Sequence, residues 1–295
     1  MKTIHVLALL AGIAGAGAAA AFPHAVYDGS FELHGKDAYF GGFSGLEFSA
    51  DGMSFIALSD AAALVVGHVV RNERGAIVAV ETPAPPLRLR DETGQALVDP
   101  YADSEGLARA PDGTLFISFE REHRVAHYRW DGALLGALPV PADFADFEQN
   151  SGLEGLAIAP NGALFTLPEG IAVGMRRDQV YRFFNGTWTK PFEISEDATW
   201  RPVGADFDPE GRLYILERDF WPLVGSRSRL RRIGFDDSGI KADDVMFATP
   251  AGRHGNLEGL SIWQASDGVV HATMVSDNNF LSIMRSEFVD YTLHD

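Results

Sequence analysis

Residues 103–120 read Asp-Ser-Glu-Gly-Leu-Ala-Arg-Ala-Pro-Asp-Gly-Thr-Leu-Phe-Ile-Ser-Phe-Glu. One apolar run enters Asp112-Gly113, and a second leaves it as Leu115-Phe116-Ile117, rich in β-branched and aromatic residues. Asx-Gly between two such runs is a strong hairpin signal, because a type I′ turn needs positive φ at both central residues. The same pattern returns four more times. It runs from Ser44-Gly45-Leu46 through Asp51-Gly52 to Asp60, and from Glu154-Gly155-Leu156 through Asn161-Gly162 to Glu169. A more diverged copy runs from Gly204-Ala205-Asp206 through Glu210-Gly211 to Glu217, and the last from Glu258-Gly259-Leu260 through Asp267-Gly268 to Asp277.

Further strand candidates follow each hairpin, such as Gln179–Phe184 and Thr187–Ile194 around Asn185-Gly186, so each repeat supplies about four strands. The turn glycines at 52, 113, 162, 211 and 268 span 216 residues over four intervals, or 54 apiece. Four-strand repeats at this spacing predict an all-β fold, a β-propeller of four-stranded blades, rather than a sandwich. The count predicts five blades, or six if one is degenerate. Residues Ala25–Leu33 and Phe280–Leu293 are expected to share one blade and close the ring.

The first 21 residues read as a secretory signal: Lys2, an apolar stretch from Ile4 to Leu10 with an Ala/Gly run, and Ala19-Ala20-Ala21 as a cleavage site. The expectation is a single propeller domain over 22–295, periplasmic or secreted, with no membrane span after the signal. The absence of cysteine removes disulfides, thiolate metal ligands, a cysteine nucleophile and a lipoprotein anchor. The fold must then be held by its core, for which 46% hydrophobic residues are sufficient. A formal charge of −17 disfavours nucleic acid and anionic membrane as partners, and favours bound cations or plain solubility.

Pairing about a two-residue turn sets Glu105 opposite Glu120, Glu154 opposite Glu169 and Glu258 opposite Asp277, each at the end far from the turn. In the diverged repeat Glu217 faces Gly204, and in the first Asp60 lies one place beyond Ser59, which faces Ser44. A bulge would shift these pairs by one. Directly opposed like charges destabilise a strand pair, and equivalent blade positions converge on a central channel. The predicted acidic mouth therefore calls for a hard cation such as Ca²⁺ or for protonation of some carboxylates. The alternative is that these acids bond to neighbouring backbone amides and hold the ring together. Arg121, Arg218 and Arg253-His254 flank the acids, where arginine can grip a phosphate or carboxylate or neutralise the ring. His123 and His127 lack a third ligand at zinc spacing. Gly41 to Gly45 lacks the spacing of a nucleophile elbow, so Ser44 reads as a turn or ring residue.

The segments Gly42-Phe43-Ser44-Gly45-Leu46, Asp103-Ser104-Glu105-Gly106-Leu107 with Phe119-Glu120-Arg121, Gly152-Leu153-Glu154-Gly155-Leu156 and Leu216-Glu217-Arg218-Asp219 resemble the phytase-like domain family, "esterase-like activity of phytase". The resemblance implies an exported propeller-like domain whose recurring acids hydrolyse phosphoesters. The layout also looks like Ca²⁺-dependent six-bladed lactonases, in which ring acids hold the metal. The leading expectation is a Ca²⁺-assisted ester hydrolase for a small anionic ester. In it Glu105, Glu154, Glu258 and Asp277 hold the metal. Glu120, Glu169 and Glu217 add ligands or a general base, and Arg121 and Arg218 orient the substrate. The rivals are a non-catalytic propeller binding a ligand or protein at the same mouth, and a lactonase-like hydrolase.

Overall fold

Each repeat closes through a turn in which the glycine alone takes the left-handed conformation, with φ of +85° at Gly113, +83° at Gly162, +81° at Gly211 and +87° at Gly268. The amide of Gly113 donates to the carbonyl of Ala110, and the Ala110 amide bonds Thr114, which brackets a three-residue loop. Gly162, Gly211 and Gly268 repeat this arrangement. The turn is therefore type I with a glycine bulge, and not type I′. Asn185-Gly186, with φ of +50° and +80°, is the two-residue type I′ turn of the chain.

The computed structural model describes residues 22–147, 152–168, 178–194, 199–221 and 223–295. The signal expectation for 1–21 and the site residue Glu169 lie outside them. Five antiparallel blade sheets stand around one axis, and a two-stranded sheet, Asp178–Gln179 with Glu193–Ile194, is separate from them. From the axis outward, the first blade is Phe43–Phe48, Ser54–Ser59, Ala63–Arg71 and Ile77–Glu81, with Leu87–Arg88 added to its third strand. The second is Ser104–Arg109, Leu115–Phe119, Arg124–Tyr128 and Leu134–Ala137. The third is Leu153–Ile158, Leu164–Pro168, Tyr181–Phe184 and Thr187–Thr189. The fourth is Arg201–Phe207, Leu213–Trp221, Gly225–Asp236 and Gly239–Ala248.

The fifth blade takes Asn256–Gln264, Val270–Asp277 and Glu287–His294 from the C-terminal part of the chain, and its outermost strand, His24–Glu32, from the N-terminal part. Val26 opposes Thr292 and Phe31 opposes Phe288 in this closure. The fold is thus the five-bladed β-propeller anticipated from the repeat, with termini sharing a blade. Among the described residues the helical segment is a short 3₁₀ turn, Ala142–Asp146, and no helix is long and apolar enough to cross a membrane.

The hydrophobic core is divided into five seams, one between each pair of neighbouring blades. Leu58, Leu64, Leu107 and Ile117 fill that between the first and second, and Ala157, Phe165, Ile215 and Ile233 that between the third and fourth. At the axis the inner strands touch through glycine. A Cβ on Gly106 would stand 2.4 Å from the Glu154 carbonyl oxygen, and one on Gly204 would stand 2.3 Å from that of Glu258. Gly45 lies against Leu107, Gly155 against Gly204-Ala205, and Gly259 against Gly45-Leu46, so the contacts run once round the ring.

One residue before these glycines the inner strand carries a bulge, at Ser44, Glu154, Val203 and Glu258, and within Glu105-Gly106 in the second blade. The turn and the bulge together correct the register expected from the sequence. Ser59 faces Phe43, Phe119 faces Ser104, Pro168 faces Leu153, Glu217 faces Pro202 and Asp277 faces Asn256. Glu105 and Glu120, and likewise Glu258 and Asp277, are not directly opposed pairs. A bulge leaves one residue unpaired and re-aims its side chain.

Gly106→Ala and Gly204→Ala should each cost about 1–3 kcal/mol of stability, because the added methyl meets a backbone oxygen that cannot move aside. The urea unfolding midpoint measures this, and unchanged midpoints would show that the ring tolerates a wider axis.

Candidate functional site

Where the inner strands begin and the second strands end, two sets of side chains ring the channel. The bulges contribute Ser44, Glu105, Glu154, Val203 and Glu258. Two residues past the partner of the ring glycine, the second strands contribute Asp60, Arg218 and Asp277 in the first, fourth and fifth blades, and Glu120 stands at the matching end of the second. Glu169, the third-blade counterpart by register, lies outside the described residues.

The second blade brings the acids closest. Asp103, Glu105 and Glu120 each offer an oxygen, and the three oxygens lie within 4.8 Å of one another. Glu105 keeps some surface toward the channel but is otherwise surrounded by protein. Burial pushes its carboxyl well above the usual range, and the charges of Glu154, Glu258, Glu120 and Asp103 push it further. Glutamates from the second, third and fifth blades therefore act on one another across the axis. Asp60 is pushed up to about 7 by burial, then by Asp277 and Asp103, against the Ala61 amide. Burial also raises Asp277, against the Asn279 amide, Arg218 and Asn256. Asp103 is raised by burial in spite of Arg121.

Several of these acids also brace the ring. Glu120 is buried, and its Oε1 accepts the Gly152 amide at 3.0 Å, tying the second blade to the third. Arg121, held at a φ of +52°, donates from Nε to Asp103 at 2.8 Å. Arg218 donates from Nη1 to Glu258 at 2.5 Å and to Asn256 at 3.0 Å, and the Asn256 amide donates to the same Glu258 oxygen.

Glu217 is buried and accepts from Arg229 Nε at 2.5 Å and Arg231 Nη1 at 2.9 Å. The fourth blade has slipped its acid by one residue: Glu217 turns into its own sheet, and Arg218 takes the ring position held elsewhere by a carboxylate. Beside Arg218 a cleft of about 670 Å³ is lined by Arg201, Thr199, Ser226, Asn279 and Met284. Ser44 donates to the Ser104 carbonyl at 2.8 Å, as befits a ring residue. His127 bonds Thr114 at 2.7 Å inside its blade.

Sequence reasoning noted Asp60 at the end of the first repeat but gave it no role, and passed over Asp103. Their signal was positional: Asp60 ends the first hairpin, and Asp103 precedes the second inner strand by one residue. Asp206 and Glu47, three places past the bulges in the inner strands, were also missed. Glu47 Oε1 accepts the Arg109 amide of the second blade at 2.9 Å, and Asp206 Oδ2 accepts the Ile262 amide of the fifth at 2.5 Å. Burial raises both, Asp206 to about 7 and Glu47 well above its ordinary value with the Asp206 charge added.

Fold and mouth together define a five-bladed propeller with a desolvated carboxylate cluster at one end of its channel. Residues 38–280 match the phytase-like family, described as esterase-like activity of phytase, and the chain belongs to that family. No curated protein sequence matches it.

Solved structures of similar fold include virginiamycin B lyase from Staphylococcus aureus, 13% identical over 90% of this chain and 99% of that one, with a TM-score of 0.45. The PQQ-bound aldose sugar dehydrogenase from Streptomyces coelicolor is 15% identical over 92% and 100%, with a TM-score of 0.48. A gluconolactonase from Xanthomonas campestris is 14% identical over 85% and 88%, with a TM-score of 0.43. Likeness at this level carries no information on chemistry.

Two outcomes are expected. Asp60 and Asp206, raised to about 7, bind protons more tightly folded than unfolded, so their stabilising contribution is full below about pH 4 and is lost as pH rises through 7, and the raised Glu105 and Glu47 act in the same direction. The melting temperature in cation-free buffer should therefore fall from about pH 5 to about pH 8, less steeply in Asp60→Asn. A rise over that range would contradict the assignment. Glu217→Gln should cost about 3–5 kcal/mol on denaturant unfolding, since it removes the buried negative charge shared by Arg229 and Arg231.

Proposed function

We propose that the protein is an exported ester hydrolase acting on phosphoesters with the help of a bound cation, Ca²⁺. The observation that carries this reading is the approach of the Asp103, Glu105 and Glu120 oxygens to within 4.8 Å, in a chain of an esterase-like family. Carboxylates packed this closely and stripped of water need either protons or a positive partner. Their oxygens are the hard donors that Ca²⁺ takes, so the residues fit that ion. Asp103, Glu105 and Glu120 would hold it. When bound it would supply the charge that polarises an ester oxygen.

The chain's own groups supply the rest. Glu154 faces the same channel and would accept the proton of the attacking water. Arg218 and Arg201 line the adjoining cleft and, with Arg121 on the mouth, would orient an anionic substrate through paired N–H donors. Glu258 and Asn256 hold Arg218 in place from the fifth blade. Asp277, beside Asp60, completes the acidic wall. Glu217, paired with Arg229 and Arg231, braces the fourth blade. The signal-like sequence of 1–21 supports an activity in the periplasm or outside the cell.

Chelator should lower the melting temperature and Ca²⁺ restore it, with the larger effect above pH 7 where the acids are ionised. Hydrolysis of p-nitrophenyl phosphate, bis-p-nitrophenyl phosphate or a p-nitrophenyl carboxylate ester should drop by about 10²-fold or more in Glu105→Gln and Glu154→Gln, with folding intact. Cation binding without turnover of any ester would leave a cation-dependent binding propeller in place of an enzyme.

A further inference from the structure

The third strand of each blade carries one residue at the same height, opposite Ile56, Phe116, Phe165, Tyr214 and Thr273 of the second strands. These residues are Val66, His127, Arg182, Arg232 and Asp290. Four are polar, and three of those four are satisfied. His127 bonds Thr114 at 2.7 Å, and Arg232 pairs with Asp244 at 3.2 Å and with Asp295. Asp290 pairs with Arg71 at 2.6 Å and accepts from Thr273 at 2.6 Å. Arg182 is the exception. Its Nε is enclosed and has no hydrogen-bond partner, and its guanidinium forms no ion pair among the described residues. The guanidinium stands over the Phe184 ring, 5.4 Å from its centroid.

This cation lines a cleft of about 540 Å³ between the third and fourth blades, at the turn end of the propeller and away from the acidic mouth. The floor is aromatic: Phe165 meets Phe207 edge-on at 5.0 Å and Phe235 at 5.6 Å. Pro160, Pro191 and Pro209 form the walls, rigid and with no amide to donate. Three acids stand at the rim. Glu210 is offset by Arg212 at 3.3 Å and Asp236 by Lys241 at 3.3 Å, while Asp237 is exposed.

We propose that this cleft is a second ligand site, separate from the mouth, for a monocarboxylate with an aromatic or other flat apolar body. A guanidinium that lines an open cleft with no carboxylate partner of its own among the described residues is free to take one from a ligand. A carboxylate matches the arginine fork, and the phenylalanine floor matches an apolar body. The acidic rim disfavours polyanions such as phosphate esters. An anion of one charge reaches Arg182 past it.

The site is tested by calorimetry or ligand-observed NMR with 3-phenylpropionate, against its neutral analogue 3-phenylpropan-1-ol. The acid should bind one to one with a Kd of about 1 mM or tighter, and the alcohol at least tenfold more weakly. Arg182→Gln should weaken binding of the acid at least tenfold. Asp237→Asn, on the exposed rim where folding is not at risk, should strengthen it about two- to fivefold at low salt. No saturable binding, equal binding of the alcohol, an unaffected Arg182→Gln, or an Asp237→Asn that binds no better would each overturn the proposal. Ester turnover plays no part in any of these readouts, so they stand apart from the fate of the mouth.

Discussion

The structure depends on how closely five inner strands can approach one axis. At that distance a side chain on one strand would occupy the backbone of the next, so each strand presents a glycine there: 45, 106, 155, 204 and 259. The requirement is steric, hardest at Gly106 and Gly204, which face a backbone oxygen, and loosest at Gly155, where a Cβ would stand 3.1 Å from that of Ala205. The residue after it, Leu46, Leu107, Leu156, Ala205 or Leu260, enters the seam between neighbouring blades and joins the core. The recurring Glu-Gly-Leu is thus three adjacent residues with three destinations: channel, neighbouring backbone and core.

The bulge before the glycine explains why acids can sit in so tight a ring. An unpaired residue leaves the ladder and its side chain turns toward the channel, where solvent and cations can reach it. The cost is electrostatic. Glu105 feels Glu154, Glu258, Glu120 and Asp103 together, and burial removes the water that would screen them. Two arginines relieve this locally, Arg218 at Glu258 and Arg121 at Asp103. They leave the Glu105–Glu120 side of the mouth as its most negative part, and chemistry that needs a positive partner belongs there.

The blades have diverged at single positions within a shared frame. The fourth exchanges a ring carboxylate for Arg218 and buries its acid between Arg229 and Arg231. The third places an arginine without an ion pair among the described residues where the second, fourth and fifth have polar residues with partners. At the far end of the channel, Glu47, Asp206 and Ser261 reach across to the amides of the next inner strand, while Ala108 and Ala157 leave theirs to other contacts. Identical backbone geometry lets each blade carry a different side-chain function at the same height.

From sequence alone the hairpins, their number, the closing blade and the recurrence of acid before glycine were legible, because turn glycines and alternating apolar runs are local signals read within about ten residues. The pairing of those acids was not. Asp112-Gly113 suits a two-residue type I′ turn and a three-residue type I turn with a glycine bulge equally well, and the two differ by one residue of register. The bulge at the axis adds a second shift, and it arises where strands from different blades crowd one another, a contact absent from any single repeat. Tertiary packing therefore decided that Arg218 and not Glu217 lines the channel, that Asp60 and Asp103 join the mouth, and that Arg182 stands without a partner. Each of these outcomes depends on a neighbouring strand brought in from far along the chain, and short-range patterning carries no record of it.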